Sequence, residues 1–135
     1  MSELIVYIDR SEIREGRLEE LKTAMAELVN FVRTNEPRLF AYNVYLNEEG
    51  TRMTVVQFHP DSASLEFHME VAGRLFPKFA EFIKLLAIEV YGEPDAPLLD
   101  QLRQKAQMLG DGTVLVQGLY AGFARLQFRE AETSR

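Results

Sequence analysis

An α+β fold is predicted by the sequence: one antiparallel sheet with helices on a single face, in the order β-α-β-β-α-β, followed by a further helix and strand. Three observations carry that reading. Short runs rich in β-branched and aromatic residues alternate with stretches whose apolar residues recur every three or four positions. Breaks containing Gly, Pro and Asn fall between them. The chain has 135 residues and no repeat or linker, which is the size of one domain.

Residues 3–9 hold β-branched and aromatic residues and read as a strand, with a break at Gly16. From Arg17 to Asn35 the apolar positions Leu18, Leu21, Met25, Leu28 and Val32 form one helical stripe, with charged residues elsewhere. Pro37 stops that pattern. Residues 38–47 and 51–59 form two strands around Asn47-Glu48-Glu49-Gly50, a polar turn ending in glycine. Pro60 ends the second, and Asp61 or Ser62 caps a helix over 62–84. Gly73 and Pro77 divide this helix into two pieces, with Pro77 opening the second. Residues 85–91 read as a strand, and Pro94 and Pro97 introduce a third helix ending near Leu109. Residues 113–126 read as a last strand or strand pair. The first six elements have the split βαβ order of ferredoxin-like domains. The whole chain, 1–135, is thus a single domain with a core at 3–93 and an extension at 94–128.

Strand parity bears on assembly, because successive side chains face opposite sides of a sheet. The set Phe40, Tyr42, Val44, Leu46, Val56, Phe58, Leu86, Ile88 and Val90 is apolar and is expected beneath the helices. The opposite set, Ala41, Asn43, Tyr45, Val55, Gln57, His59, Ala87, Glu89 and Tyr91, is mixed but too apolar for a solvated face. A second subunit is the expected cover, so a homodimer is predicted. The alternative is that helix 95–109 folds back over this face in a monomer.

Composition excludes several chemistries. With no cysteine there is no disulfide, thiolate nucleophile, cysteine-based zinc site or iron–sulfur cluster. The net charge of −6 argues against nucleic-acid and basic membrane-surface partners. No run approaches the roughly 18 apolar residues of a membrane span, and the N-terminus lacks a signal-peptide pattern, so a cytoplasmic protein is expected. No phosphate-binding glycine loop and no serine nucleophile elbow is present. Two histidines are too few for a His-rich metal site, so no metal is expected.

Glu15-Gly16-Arg17-Leu18-Glu19-Glu20-Leu21, the Asn35-Glu36-Pro37 exit into Phe40-Ala41-Tyr42-Asn43-Val44-Tyr45, and Ser62-Ala63-Ser64-Leu65-Glu66-Phe67-His68 form a pattern that resembles the antibiotic biosynthesis monooxygenase-like domains. The resemblance covers roughly residues 3–93. It implies a dimeric α+β barrel, in which the sheets of two subunits pack together. It also implies that a His in the second helix faces a substrate cavity.

His68 shares a helix stripe with Leu65, Ala72 and Leu75, so it points toward the sheet, either as a satisfied core residue or as a pocket group. Tyr42 projects beneath the helices and needs a partner for its hydroxyl. These two are the candidate catalytic residues. Phe67, Phe79, Phe82 and Asn43 are the candidate pocket residues, the phenylalanines as core or as walls of an aromatic-ligand cavity. His59, at a strand end, reads as structural or solvent-exposed. Glu89 needs a partner, for which Arg38, Arg52 or an arginine of a second subunit is available.

The resemblance implies an oxygenase that needs no cofactor and oxidises a phenol or hydroquinone with O₂. A non-catalytic dimeric domain binding a small aromatic ligand fits the residues as well. Haem degradation fits less, since the haem-degrading relatives place a Trp against the macrocycle and this chain has none.

Overall fold

A computed structural model describes residues 4–126. Its elements are β1 (Ile5–Ile13), α1 (Leu18–Asn35), β2 (Ala41–Leu46), β3 (Arg52–His59), α2 (Ser62–Val71), β4 (Ile83–Tyr91), α3 (Ala96–Leu109) and β5 (Thr113–Gln117). They build one five-stranded sheet in the order β2-β3-β1-β4-β5. The first four strands pair antiparallel, as the βαββαβ order predicts, and β5 joins the β4 edge in parallel. Parallel pairing needs a crossover, and α3 supplies it.

Local chemistry sets the boundaries. Asp61 caps α2 by accepting from the Ser64 N–H at 2.9 Å, and Asp95 caps α3 by accepting from the Leu98 N–H at 3.1 Å. The predicted second helical piece is two short 3₁₀ turns, Gly73–Leu75 and Pro77–Glu81, with Pro77 at the start of the second. The first strand runs to Ile13, beyond the expected residue 9, and the last ends at Gln117, with no strand from 118 to 126. A Cβ on Gly110 would meet the Leu85 backbone nitrogen at 2.7 Å, so glycine is what lets the end of α3 lie against β4.

The core lies between the helices and one sheet face. It takes Ile5, Tyr7 and Ile13 from β1, Met53 and Val55 from β3, and Leu85, Ile88 and Val90 from β4. Leu21, Met25, Leu28 and Val32 of α1, Leu65 of α2, and Leu98 and Leu102 of α3 cover them. Two expected parities are corrected here. On β3 the helix-facing residues are Met53, Val55, Gln57 and His59, all buried, while Val56 and Phe58 face the other way. On β4 the register shifts opposite Arg10 and Ser11, so one residue is extra and Leu85, not Leu86, shares the buried face with Ile88. His59 is fully buried, not exposed.

Helix α3 packs beside α2 on the core face, where Lys105 reaches β1. It therefore does not cover the opposite face, where the segment after β5 borders only the Val6–Tyr91 end. That face carries Val6, Ile8, Val56, Phe58 and Ala87 around an Arg10–Glu89 ion pair at 2.9 Å, with the Tyr91 hydroxyl donating to Glu89 at 2.8 Å. Arg10, not Arg38 or Arg52, is thus the partner of Glu89, and it lowers the Glu89 carboxyl through their hydrogen bond. No helix of the described residues is long and apolar enough to cross a membrane.

Candidate functional site between the helices and the sheet

The helix-facing side of β1 reads Ile5, Tyr7, Asp9, Ser11, Ile13: apolar at both ends and polar in the middle. Asp9, 5% exposed, accepts from the Tyr7 hydroxyl at 2.6 Å. Lys105 descends from α3 and donates to the same hydroxyl at 2.6 Å, with Asp9 Oδ2 at 3.4 Å. Its ammonium also lies 4.3 Å from the Phe76 ring centroid and 4.9 Å from that of Tyr7, a cation–π setting. Burial lowers the Lys105 ammonium against the pull of Asp9, and it pushes the Tyr7 phenol well up.

A second polar chain begins where α1 ends. Glu36, 4% exposed, has both carboxylate oxygens 2.9 Å from His68 Nδ1. His68 Nε2 faces Gln57 Nε2 at 3.5 Å, Gln57 Oε1 lies 2.8 Å from His59 Nε2, and His59 Nδ1 lies 2.8 Å from Ser64 Oγ. Donors and acceptors must alternate along this chain. The Gln57 carbonyl accepts from His59 Nε2–H, so His59 Nδ1 accepts from Ser64. The Gln57 amide then faces an unprotonated His68 Nε2, and His68 Nδ1–H donates to Glu36. Burial pushes both imidazoles down to about 3, which keeps them neutral, and pushes the Glu36 carboxyl up to about 7.

Between these chains lies a cavity of about 30 Å³, lined by Asp9, Tyr42 and Lys105 together with Met25, Phe76 and Phe79. That is room for a water or two, well short of a substrate. Tyr42 makes no hydrogen bond with any described residue, and burial pushes its phenol up, helped by the charges of Asp9 and Glu36. Two larger clefts flank the cavity. One of about 350 Å³ includes Tyr42 in its wall, and one of about 380 Å³ includes Met25 and Met53.

The sequence-predicted residues are distributed as follows. Tyr42 and Phe79 line the cavity. His68 stands just behind its wall, with ring centroids 5.6 Å from Tyr42 and 5.9 Å from Phe76. Phe82 is one layer out, edge-on to Phe79 at 6.0 Å and beneath the Arg17 guanidinium. Phe67 is 45% exposed, pointing away from the cavity, and Asn43, exposed on β2, lies outside the cavity but at the wall of the cleft of about 350 Å³. Asp9, Lys105, Glu36 and Gln57 were not singled out in the sequence. Asp9 and Lys105 do leave a trace there: each is a charge on an otherwise apolar stripe, Asp9 between Ile5 and Ile13 and Lys105 between Leu102 and Leu109. Among the described residues no group of three His, Asp or Glu is placed to hold a metal ion.

No family model and no curated protein matches the sequence. Solved structures do match in fold. MupZ from Pseudomonas fluorescens superposes with a TM-score of 0.72 at 22% identity, covering 93% of this chain and 91% of its own. SnoaB, a cofactor-independent oxygenase from Streptomyces nogalater, superposes at 0.59 with 9% identity, covering 70% and 97%. A protein described as an antibiotic biosynthesis monooxygenase gives 0.56 at 22% identity, covering 69% and 99%. The last two coverages match the 3–93 core, whereas the MupZ coverage also takes in part of the α3–β5 extension. The chain therefore has the ferredoxin-like fold of the antibiotic biosynthesis monooxygenase-like proteins, enlarged by α3 and β5.

Proposed function

We propose that the chain is a cofactor-independent oxygenase that works as a homodimer and oxidises a phenol or hydroquinone seated in the cleft of about 350 Å³ that Tyr42 walls, with only the reacting oxygen reaching the Asp9–Tyr42–Lys105 cavity. The observation that carries this is the unpaired Tyr42 hydroxyl beside a buried carboxylate and a buried ammonium in an apolar enclosure. A phenol entering past Tyr42 meets Asp9 as proton acceptor and Lys105 as the cation that holds the resulting oxyanion. The electron-rich anion gives electrons to O₂. For a ring methylene flanked by such groups, two hydrogens leave, one oxygen atom becomes the carbonyl and the other leaves as water. Tyr42 donates to the oxygen on which charge develops, and His68, behind it, positions its ring. The fold shared with a cofactor-independent oxygenase supports the same reading.

The test is oxygen uptake with a panel of quinols and anthrones. Wild type is expected to consume O₂, and Tyr42→Phe to lose roughly 10- to 100-fold in rate with its melting temperature unchanged. A folded wild type inert over the whole panel, or a fully active Tyr42→Phe, overturns the enzyme reading; saturable binding of the same quinols without uptake favours a non-catalytic ligand-binding domain. The dimer is supported by the helix-free apolar face of the sheet and by Leu119, Tyr120 and Phe123, exposed by 72%, 99% and 81% beyond β5. A light-scattering mass near the 15.5 kDa of one chain overturns it.

A further inference from the structure

We propose that the seam between α1 and β2 is a binding groove for an elongated apolar molecule ending in a carboxylate, and that Arg33 recognises that carboxylate. The inference rests on the proposed site only for where the ligand's other end lies.

The two clefts beside the cavity are neighbours, because Val29 and Arg33 line both. Together they follow α1 from Leu21 to Glu36, which at 1.5 Å per residue is roughly 20 Å. That length is the span of an extended chain. Its floor is the helix-facing side of β2, where Val44 is half-buried and Leu46 is 39% exposed. Helix α1 thus leaves that side of the edge strand incompletely covered. Tyr42 at one point, and Met25 with Met53 at another, are shared walls with the cavity. Methionine side chains adapt readily, so a bound chain can reach the cavity without moving the backbone.

Charge then selects the ligand. Arg10, Arg17, Arg38, Arg52 and Arg103 each pair with a carboxylate. Arg14, Arg33, Arg74 and Arg125 pair with none among the described residues, and of these only Arg33 lines the groove, in a chain of net charge −6. The other charges on the groove are engaged: Lys22 with Glu19 at 3.6 Å, and Glu36 with His68. Arg33 is left as the free fork-shaped donor midway along the groove, between an apolar half at Met25, Val44 and Leu46 and a more polar half at Glu36 and Asn43, a setting that suits the carboxylate end of an apolar chain.

The full-length protein is titrated with decanoate and with decanol by calorimetry. Decanoate is expected to bind about fivefold more tightly than decanol, the size an exposed, partly screened ion pair supplies, and to lose that advantage in about 0.5 M salt. Arg33→Gln should bring the two probes together while leaving decanol binding unchanged, and Arg33→Lys should keep part of the preference. Equal binding of both probes, a preference that survives Arg33→Gln, or no saturable decanoate binding overturns the inference. The oxygen-uptake assay is scored apart from this one. Carboxylate-selective binding without quinol oxidation removes the oxygenase and leaves the groove, and the reverse pattern removes the groove alone.

Discussion

Removing the Lys105 ammonium while leaving Asp9 in place asks how α3 is held to the sheet. In Lys105→Met the aliphatic stem keeps its packing against Phe76 and Tyr7, and only the charge is lost. Asp9, 5% exposed, then keeps one short hydrogen bond, from Tyr7 at 2.6 Å, and no cation. Breaking one side of a buried pair costs about 3–5 kcal/mol, because the other charge is stranded. With a urea m-value of about 2 kcal/mol/M, the unfolding midpoint falls by roughly 2 M. In Asp9→Asn the loss is smaller, since burial already lowers the Lys105 ammonium and the amine can shed its proton. The double variant Asp9→Asn/Lys105→Met strands no charge, and its Asn carbonyl still accepts from Tyr7. It should recover to within about 1 kcal/mol of wild type. Urea titrations of the four proteins give the coupling energy directly. If Lys105→Met costs less than about 1 kcal/mol, or the double variant loses the sum of the singles, the ammonium is not buried against Asp9 and the reasoning fails.

Acid stability follows from the second polar chain. His59 and His68, lowered to about 3 from the ordinary 6.5, stabilise the fold above pH 6.5, and that contribution drains away as pH falls toward 3. Glu36, raised from 4.5 to about 7, acts in the opposite sense between those values. Two groups against one leave a net single proton taken up on unfolding. At about 1.4 kcal/mol per pH unit, the fold loses roughly 3 kcal/mol between pH 6.5 and 4.5, and the slope steepens below that. Urea midpoints at the two pH values check this, and stability that rises on acidification contradicts it. Nitrogen-15 NMR at pH 8 should find His68 protonated at Nδ1 and His59 at Nε2, both neutral; the opposite tautomer at either ring breaks the alternation inferred for Gln57. Leu102→Ala, at a fully buried α3 position, should cost about 2–5 kcal/mol by denaturant titration, and a loss under 1 kcal/mol means α3 does not seal the core.

The element order was readable because each helix carries a stripe and each strand is bounded by a breaker. Tyr42 and His68 were readable as neighbours because one lies on a β2 position beneath the helices and the other on the inward stripe of α2. What parity could not give was the face of β3. Thr54, Val56 and Phe58 are collectively more apolar than Met53, Val55, Gln57 and His59, yet the second set is buried. The rule that apolar side chains go inside fails there because the interior holds a satisfied polar chain, Glu36–His68–Gln57–His59–Ser64, while the outer face is left apolar. Local patterning is expected to break down where a site is built. The extra residue on β4 was invisible for a different reason: a bulge changes pairing without changing composition.

The pairing of Lys105 with β1 also has a consequence for how the chain is made. Its hydrogen bond to Tyr7 spans 98 residues of sequence, and its contact with Asp9 spans 96. Long-range contacts form late, and synthesis proceeds from the N-terminus. Strand β1 therefore leaves the ribosome carrying a carboxylate whose cation is not yet translated. Until α3 arrives, burying β1 means burying Asp9 alone. The nascent βαββαβ unit is thereby kept from settling until α3 is made.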